Sequence, residues 1–345
     1  MQILGGMRVK KFLTASLSLF ALLTFVLCIT AWCFTYRGDE EAGPENAYES
    51  RVVLGFAQLG AESEWRSSSS LSVREAARKR GIELMFVNAR QKQENQIKAI
   101  RSFIAHRVDV IAFSPVVETG WDNVLQEAKA EGIPVVLVDR SIRTEQEGLY
   151  VAFLGSDFVE EGRRAGRWLL DRYADFTGRV RIVELRGTEG ASPTRGRDEG
   201  FREVIARDGR FEIVRLLRGD FMRSRGREEM ERLLSDGRFP SVDGVDVLFA
   251  HNDDMAMGAV EAMEEHGIRP GRDVVVISVD AQKSALDALR RGKVNCVVEC
   301  NPYIGDQLMD LARRLAAGLD VPALTYSDET VYTADDLENL PSRPW

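Results

Sequence analysis

Ten short apolar runs, separated by segments with helical spacing, constrain what this chain can fold into more than any other feature. The first five are VVLGFAQ (Val52 to Gln58), ELMFV (Glu83 to Val87), DVIAFS (Asp109 to Ser114), PVVLVD (Pro134 to Asp139) and YVAFLG (Tyr150 to Gly155). The second five are VRIVEL (Val180 to Leu185), FEIVRLL (Phe211 to Leu217), VDVLFA (Val245 to Ala250), DVVVISVD (Asp273 to Asp280) and VNCVVEC (Val294 to Cys300). Their hydrophobicity is mostly continuous rather than alternating, as expected of strands buried on both faces in parallel sheets covered by helices. Between them, Gln93 to Arg107 places Ile97, Ile100, Phe103 and Ile104 on one helical face, and Trp121 to Glu131 does the same with Val124, Leu125 and Ala128. Further helices are expected over Gly196 to Arg207, Ser224 to Ser235 and Asp254 to Gly267. The pattern from Arg51 onward exceeds what one hydrophobic core usually supports, about 250 to 300 residues. The expected fold is therefore α/β, with two doubly wound parallel-sheet lobes.

The N-terminus differs in kind. Arg8, Lys10 and Lys11 precede a run from Phe12 to Tyr36 with no charged residue, long enough to cross a bilayer core of about 30 Å. It reads as a signal peptide or an uncleaved anchor over residues 1–36, with the basic flank kept cytoplasmic and the remainder outside. RGDEEAGPENAYES, from Arg37 to Ser50, has acids, Gly and Pro without periodicity and reads as a linker. Two of the four cysteines, Cys28 and Cys33, fall in the apolar run. Cys296 and Cys300, four apart on a strand-like segment, would be about 13 Å apart and so too distant for a disulfide. A formal charge of −8 lacks the basic surplus that binding to a phosphate backbone demands, which argues against a nucleic-acid partner.

Ligands of open parallel sheets bind beyond the carboxyl ends of the strands, so the loops there carry the functional information. After the first strand come Glu62, Trp65 and Arg66; the fourth ends in Asp139 and Arg140; the sixth leads to Ser192 and Arg197. The seventh leads to Asp220 and Phe221, the eighth to Asn252, Asp253 and Asp254, and the ninth to Asp280. Carboxylates, guanidinium forks and an amide converging with aromatic faces suit a polyhydroxylated ligand, whose hydroxyls need both donors and acceptors and whose ring has an apolar C–H side. Blander readings stand beside this one. Asn252 or Asp253 can simply cap the following helix; Asp139 and Arg140 can form a surface ion pair; Trp65 and Phe221 can be packing residues. Glu64 and Glu118 are expected to be solvated. His106 and His251 lack neighbours at metal-ligand spacing. No G-x-G-x-x-G, G-x-x-x-x-G-K-[ST], G-x-S-x-G or H-E-x-x-H is present, so the expectation is a binder without cofactor rather than an enzyme.

Several ordered segments carry a specific resemblance: QLGAESEWR, RQKQENQIKAIRSFIAHRVDVIAFSPVVETGW, IPVVLVDRSI, GTEGAS followed by Arg197, GDFMRSRG and AHNDDMAMGAVEA. Over about Val52 to Cys300 the chain resembles the type I periplasmic sugar-binding proteins of ABC transporters, with galactofuranose binders the nearest in pattern. The resemblance implies two Rossmann-like lobes joined by a multi-crossing hinge near Gly155, Cys300 and Pro322. The lobes would be residues 51–154 plus 302–322, and 155–301 plus 323–345. It further implies that Glu62, Arg66 and Arg140 bond a monosaccharide from one lobe, that Arg197, Asn252 and Asp280 do so from the other, that Phe221 takes the place of a stacking ring, and that Cys300 lines the cleft. Two departures affect the cleft: Glu64 replaces a small residue, and Ala281-Gln282-Lys283 replaces a GVP sequence. The implied partner is an ABC permease, or alternatively a chemoreceptor or sensor kinase, met by an extracytoplasmic monomer that touches the membrane only through its N-terminal segment.

Overall fold

The computed structural model describes residues 52–235 and 245–343, which form two α/β lobes. The N-terminal segment 1–36 and the linker 37–50 lie outside the described residues. Among those described, no helix is long and apolar enough to cross a membrane.

In the first lobe β1 (Val53–Gln58), β2 (Glu83–Asn88), β3 (Val110–Phe113), β4 (Val135–Val138), β5 (Ala152–Gly155) and β11 (Leu324–Tyr326) form one sheet in the order β11-β5-β4-β3-β1-β2. In the second, β6 (Val180–Arg186), β7 (Phe211–Arg218), β8 (Val247–Ala250), β9 (Val275–Asp280), β10 (Cys296–Glu299) and β12 (Val331–Thr333) form a sheet in the order β12-β10-β9-β8-β6-β7. Every named pairing is parallel except β10 with β12, which is antiparallel. In each sheet the first strand of the lobe lies between the second and third, so the winding reverses there and the helices diverge to leave a crevice.

Helices α1 (Glu64–Arg80), α2 (Gln93–Ala105), α3 (Asp122–Ala130) and α9 (Gly305–Ala316) belong to the first lobe, and α4 (Phe158–Arg172), α5 (Ser192–Ile205), α6 (Arg223–Ser235), α7 (Asp253–Glu265) and α8 (Lys283–Arg290) to the second. Alternate strand residues feed opposite faces: Phe56, Val110 and Val136 pack with Val73 and Leu308, whereas Ala57, Ile111 and Leu137 pack with Ile100 and Leu125. Sheet two divides likewise between Val183, Leu248 and Val276 on one face and Ile182, Phe249 and Ile277 on the other. Both faces of the central strands of each sheet are thus dry, which accounts for their continuous apolar runs.

The chain crosses between lobes after β5, after β10, and between β11 and β12. The expected boundary at residue 322 therefore moves. Leu324–Tyr326 still pair with β5, and only Val331–Thr333 join β10. Cys296 and Cys300 are free and buried.

Candidate functional site

The strand-end loops of the two lobes face one another across a narrow cavity. Its wall comprises Glu62, Ser63, Trp65, Arg66, Asp139 and Arg140 from the first lobe, Phe158, Pro193, Arg197, Phe221, Asn252 and Asp280 from the second, and Cys300 from the second crossing. Ten of the eleven residues expected from sequence thus meet in one place. The exception, Ser192, lines a neighbouring groove with Ser141, Phe158 and Arg195, where its hydroxyl accepts the Ser141 backbone N–H at 3.0 Å and so ties one lobe to the other. Ser63, Phe158 and Pro193 were not anticipated as wall residues.

Local structure aims the first-lobe groups. Ser63 caps α1 by accepting the Arg66 backbone N–H at 3.1 Å, which starts the helix so that Trp65 and Arg66 lie on its buried side. Arg66 donates to Asp139 Oδ2 at 2.6 Å and approaches Glu62 Oε1 at 3.4 Å, and Arg140 donates to the same Glu62 oxygen at 2.9 Å. These four side chains, each no more than 6% exposed, form a ring of two acids and two bases. The surface ion pair entertained for Asp139 and Arg140 is instead buried. Burial lowers the Arg140 pKa to about 10 despite Glu62, while Arg66, also opposed by burial, is held above its ordinary value by Asp139 and Glu62.

The second-lobe wall is more acidic. Arg197 Nε donates to Glu161 Oε2 at 2.6 Å, its Nη1 donates to the His251 carbonyl, and its Nη2 lies 3.8 Å from Asp280 Oδ1. Glu161, on α4, does not line the cavity and lies at no strand end, so the sequence offered no signal for it beyond its helix. A Cβ at Gly162 would overlap the Arg197 carbonyl; without one, α4 and α5 approach closely enough for the pair to form. Behind Asp280, buried Asp253 accepts from the Ser278 hydroxyl and from the Gln282 backbone N–H at 2.7 Å. Burial pushes the Asp253 carboxyl up to about 8 and raises Asp280 well above the usual carboxylate range, because several acids share one guanidinium. Burial likewise raises Glu161.

Asn252 both caps and lines: its side-chain oxygen accepts the Met255 N–H at 3.0 Å and its amide donates to the Phe221 carbonyl at 3.2 Å. Asp220 and Phe221 have φ of 52° and 63°, which turns the ring inward where a Cβ at Gly187 would overlap it. Asp139, Asp280 and Ala281 are also at positive φ, so five of the eight non-glycine residues of this kind among those described lie at these strand ends. Backbone strain collected at a cavity is a mark of function. The aromatic faces are engaged by cations: the Arg140 guanidinium lies 5.1 Å from the Phe221 ring centre, Arg197 5.3 Å from Phe158, and Arg66 4.6 Å from Trp65.

The lobes also grip each other around the cavity. Glu118, expected to be solvated, is buried because Arg195 of the other lobe bonds it at 3.0 Å and its backbone N–H donates to Gly190. Glu64 is exposed as expected, yet its backbone N–H donates to Asp254 Oδ2 at 2.9 Å across the cleft. Trp65 Nε1 donates to the Cys300 carbonyl at 2.7 Å. Glu161, Cys300 and Glu329 each place one atom suited to a metal within 4.8 Å of the others. Glu329, however, is engaged by the Ser156 hydroxyl and the Asn301 N–H at 3.0 Å, and Arg197 holds Glu161. The cluster joins residues of all three crossings, and burial raises the Glu329 carboxyl to about 8.

Residues 54–320 match the family described as periplasmic binding protein domain. The chain is 38% identical over 294 residues to the galactofuranose-binding protein of Escherichia coli, covering 84% of this chain and 90% of that one. It is 49% identical, with a TM-score of 0.80, to a Mycobacterium smegmatis protein solved in complex with β-D-fucofuranose, covering 83% of this chain and 93% of that one. Against the binding component of a Shewanella arabinose ABC transporter, solved with α- and β-L-arabinofuranose, the values are 43% and 0.78, again over 83% and 93% of the two chains.

Proposed function

The chain belongs to the periplasmic binding protein family, and from that membership we propose that it closes over one monosaccharide, galactofuranose-like or a related sugar, and presents it to an ABC permease. The observation that carries the reading is the cavity itself. Both lobes line it, and carboxylates, guanidinium groups, an amide and aromatic rings meet there, the mixture of acceptors, donors and apolar faces that a polyhydroxylated ring requires.

In this reading Glu62, Asp139 and Asp280 accept from sugar hydroxyls while Arg66, Arg140 and Arg197 donate to them. Asn252 offers its remaining amide hydrogen, and the Trp65, Phe158 and Phe221 rings cover the apolar edges. Cys300, its thiol pKa raised well above the ordinary range by burial, contributes a compact neutral wall. Each hydroxyl bonded to an ionised group within a dry cleft is worth about 1.5 to 3 kcal/mol, enough for a few such bonds to select a sugar stereochemistry. Closure rotates one lobe on the other about the three crossings and removes these contacts from water. Relatives of the chain that carry furanose sugars, at 43% and 49% identity, support a five-membered ring as the ligand form.

The reading is of binding without turnover, outside the cytoplasmic membrane, with residues 1–36 directing export or anchoring and residues 37–50 as tether. Calorimetric titration of the purified chain with D-fucose, L-arabinose and D-galactose tests it. A saturable one-to-one heat with at least one sugar, recovered unchanged afterwards, is expected; silence towards all three at millimolar concentration overturns it.

A further inference from the structure

Gln282 stands where the loop after β9 becomes α8, and it is wholly buried. Its side-chain Nε2 donates to Asp280 Oδ2 at 3.2 Å and to Asp254 Oδ2 at 2.9 Å. The two carboxylates differ in position. Asp280 is part of the cavity wall, whereas Asp254, in the first turn of α7, accepts the Glu64 backbone N–H of the other lobe through that same Oδ2. One amide therefore holds a cavity carboxylate and the acceptor of an interlobe bond.

We propose that Gln282 couples occupancy of the cavity to the Glu64–Asp254 bond, acting as a positioning residue that sets how firmly the lobes close on their ligand. The inference rests on the sugar-binding reading and adds to it how that site is controlled.

An amide group is planar, and its two N–H bonds form a rigid fork. A ligand hydroxyl that draws or releases Asp280 moves one tine, and the other must follow relative to Asp254. The surroundings fix the backbone from which the fork extends. The Gln282 backbone N–H is held by Asp253 at 2.7 Å, and the two preceding residues, Asp280 and Ala281, have φ of 125° and 66°. Among the described residues Gln282 Oε1 has no hydrogen-bond partner, an arrangement poorly suited to a residue present only to fill the core. Burial raises both carboxyls, and at Asp254 the Gln282 hydrogen bond opposes that rise, so the amide helps keep the acceptor charged.

The test is a double-mutant cycle on the full chain with Gln282→Leu, Asp254→Ala and both together. L-arabinose is the probe, and a dye pair placed on the two lobes reports closure. Each single change is expected to weaken L-arabinose binding about tenfold and to lower the closed fraction at saturation. The double variant should fall within about twofold of the weaker single one, because both changes cut one chain of contacts. Effects that multiply, or a Gln282→Leu variant that closes like the wild type, overturn the inference. A wild-type chain silent to L-arabinose and to the other sugars defeats the sugar reading instead. The link between Gln282 and the latch is then read without sugar, from hydrogen exchange at the Glu64 amide: about tenfold faster in Gln282→Leu is expected, and an unchanged rate overturns it.

Discussion

The two walls of the cavity solve one problem with different charge. In the first lobe Glu62, Arg66, Asp139 and Arg140 balance two against two and neutralise one another within the ring. In the second, Arg197 alone faces Glu161 and Asp280, with Asp253 behind them. In the balanced wall each acid has a guanidinium beside it, whereas in the acidic wall burial, with several acids around one guanidinium, raises Asp253, Asp280 and Glu161 above the usual carboxylate range. Stability contributed by the acidic wall should therefore depend on pH.

The strongest way to break this comparison is to remove one cation from each wall. Arg197→Ala leaves Glu161, wholly buried, without its partner, and is expected to cost about 3 to 5 kcal/mol of stability in denaturant unfolding, together with sugar affinity. Arg140→Ala leaves Arg66 between Glu62 and Asp139, so it should abolish binding in calorimetry while costing clearly less stability. Equal losses of stability would mean the walls do not differ.

Next in size is the ring that the acidic wall presents. Gly187→Ala places a methyl group where the Phe221 ring lies and should expel it from the cavity, weakening sugar binding by about 1.5 to 3 kcal/mol, the usual worth of a buried aromatic or aliphatic side chain. Affinity unchanged by calorimetry would show that the ring contributes nothing.

The pH dependence sharpens the contrast. Asp253 binds its proton up to about pH 8 when folded but only to about pH 4 when unfolded, so the folded state carries more protons between those values. Stability contributed by the protonated folded form is present at low pH and falls as pH rises towards 8, by up to about 1.4 kcal/mol per pH unit for one such group. Asp253→Asn should flatten the fall in thermal midpoint between pH 5 and 8. Arg140, with a pKa near 10, titrates only well above that window, so it should contribute no slope there. The smallest effect is expected from Ser192→Ala, which removes the acceptor of the Ser141 N–H and should loosen the closed form by about 1 kcal/mol, read as a severalfold higher Kd.

What could be read in advance follows the range of the interactions. Strands flanked by loops announce themselves through local hydrophobicity, and the rule that ligands lie beyond strand ends drew Glu62, Arg140, Arg197 and Asp280 into one expectation. Helix α1 was not anticipated, because SSSSLS interrupts its apolar face. β11 and β12 are three residues each and half-exposed, too short for any periodicity to register. Glu118 was misjudged for a different reason. Its burial depends on Arg195, 77 residues away on the opposite lobe, and no local pattern encodes such a meeting. Ser192 belonged to the right loop but serves the seam between lobes rather than the cavity. Glu161 escaped because it acts from the middle of a helix, through Arg197.

The late position of β11 and β12 carries a consequence for how such a molecule comes into being. Each sheet takes an outer strand from beyond residue 323, although its remaining strands come much earlier. Neither half can be completed until nearly the whole polypeptide has emerged, so a chain delivered N-terminus first through a narrow channel arrives before it can seal either lobe.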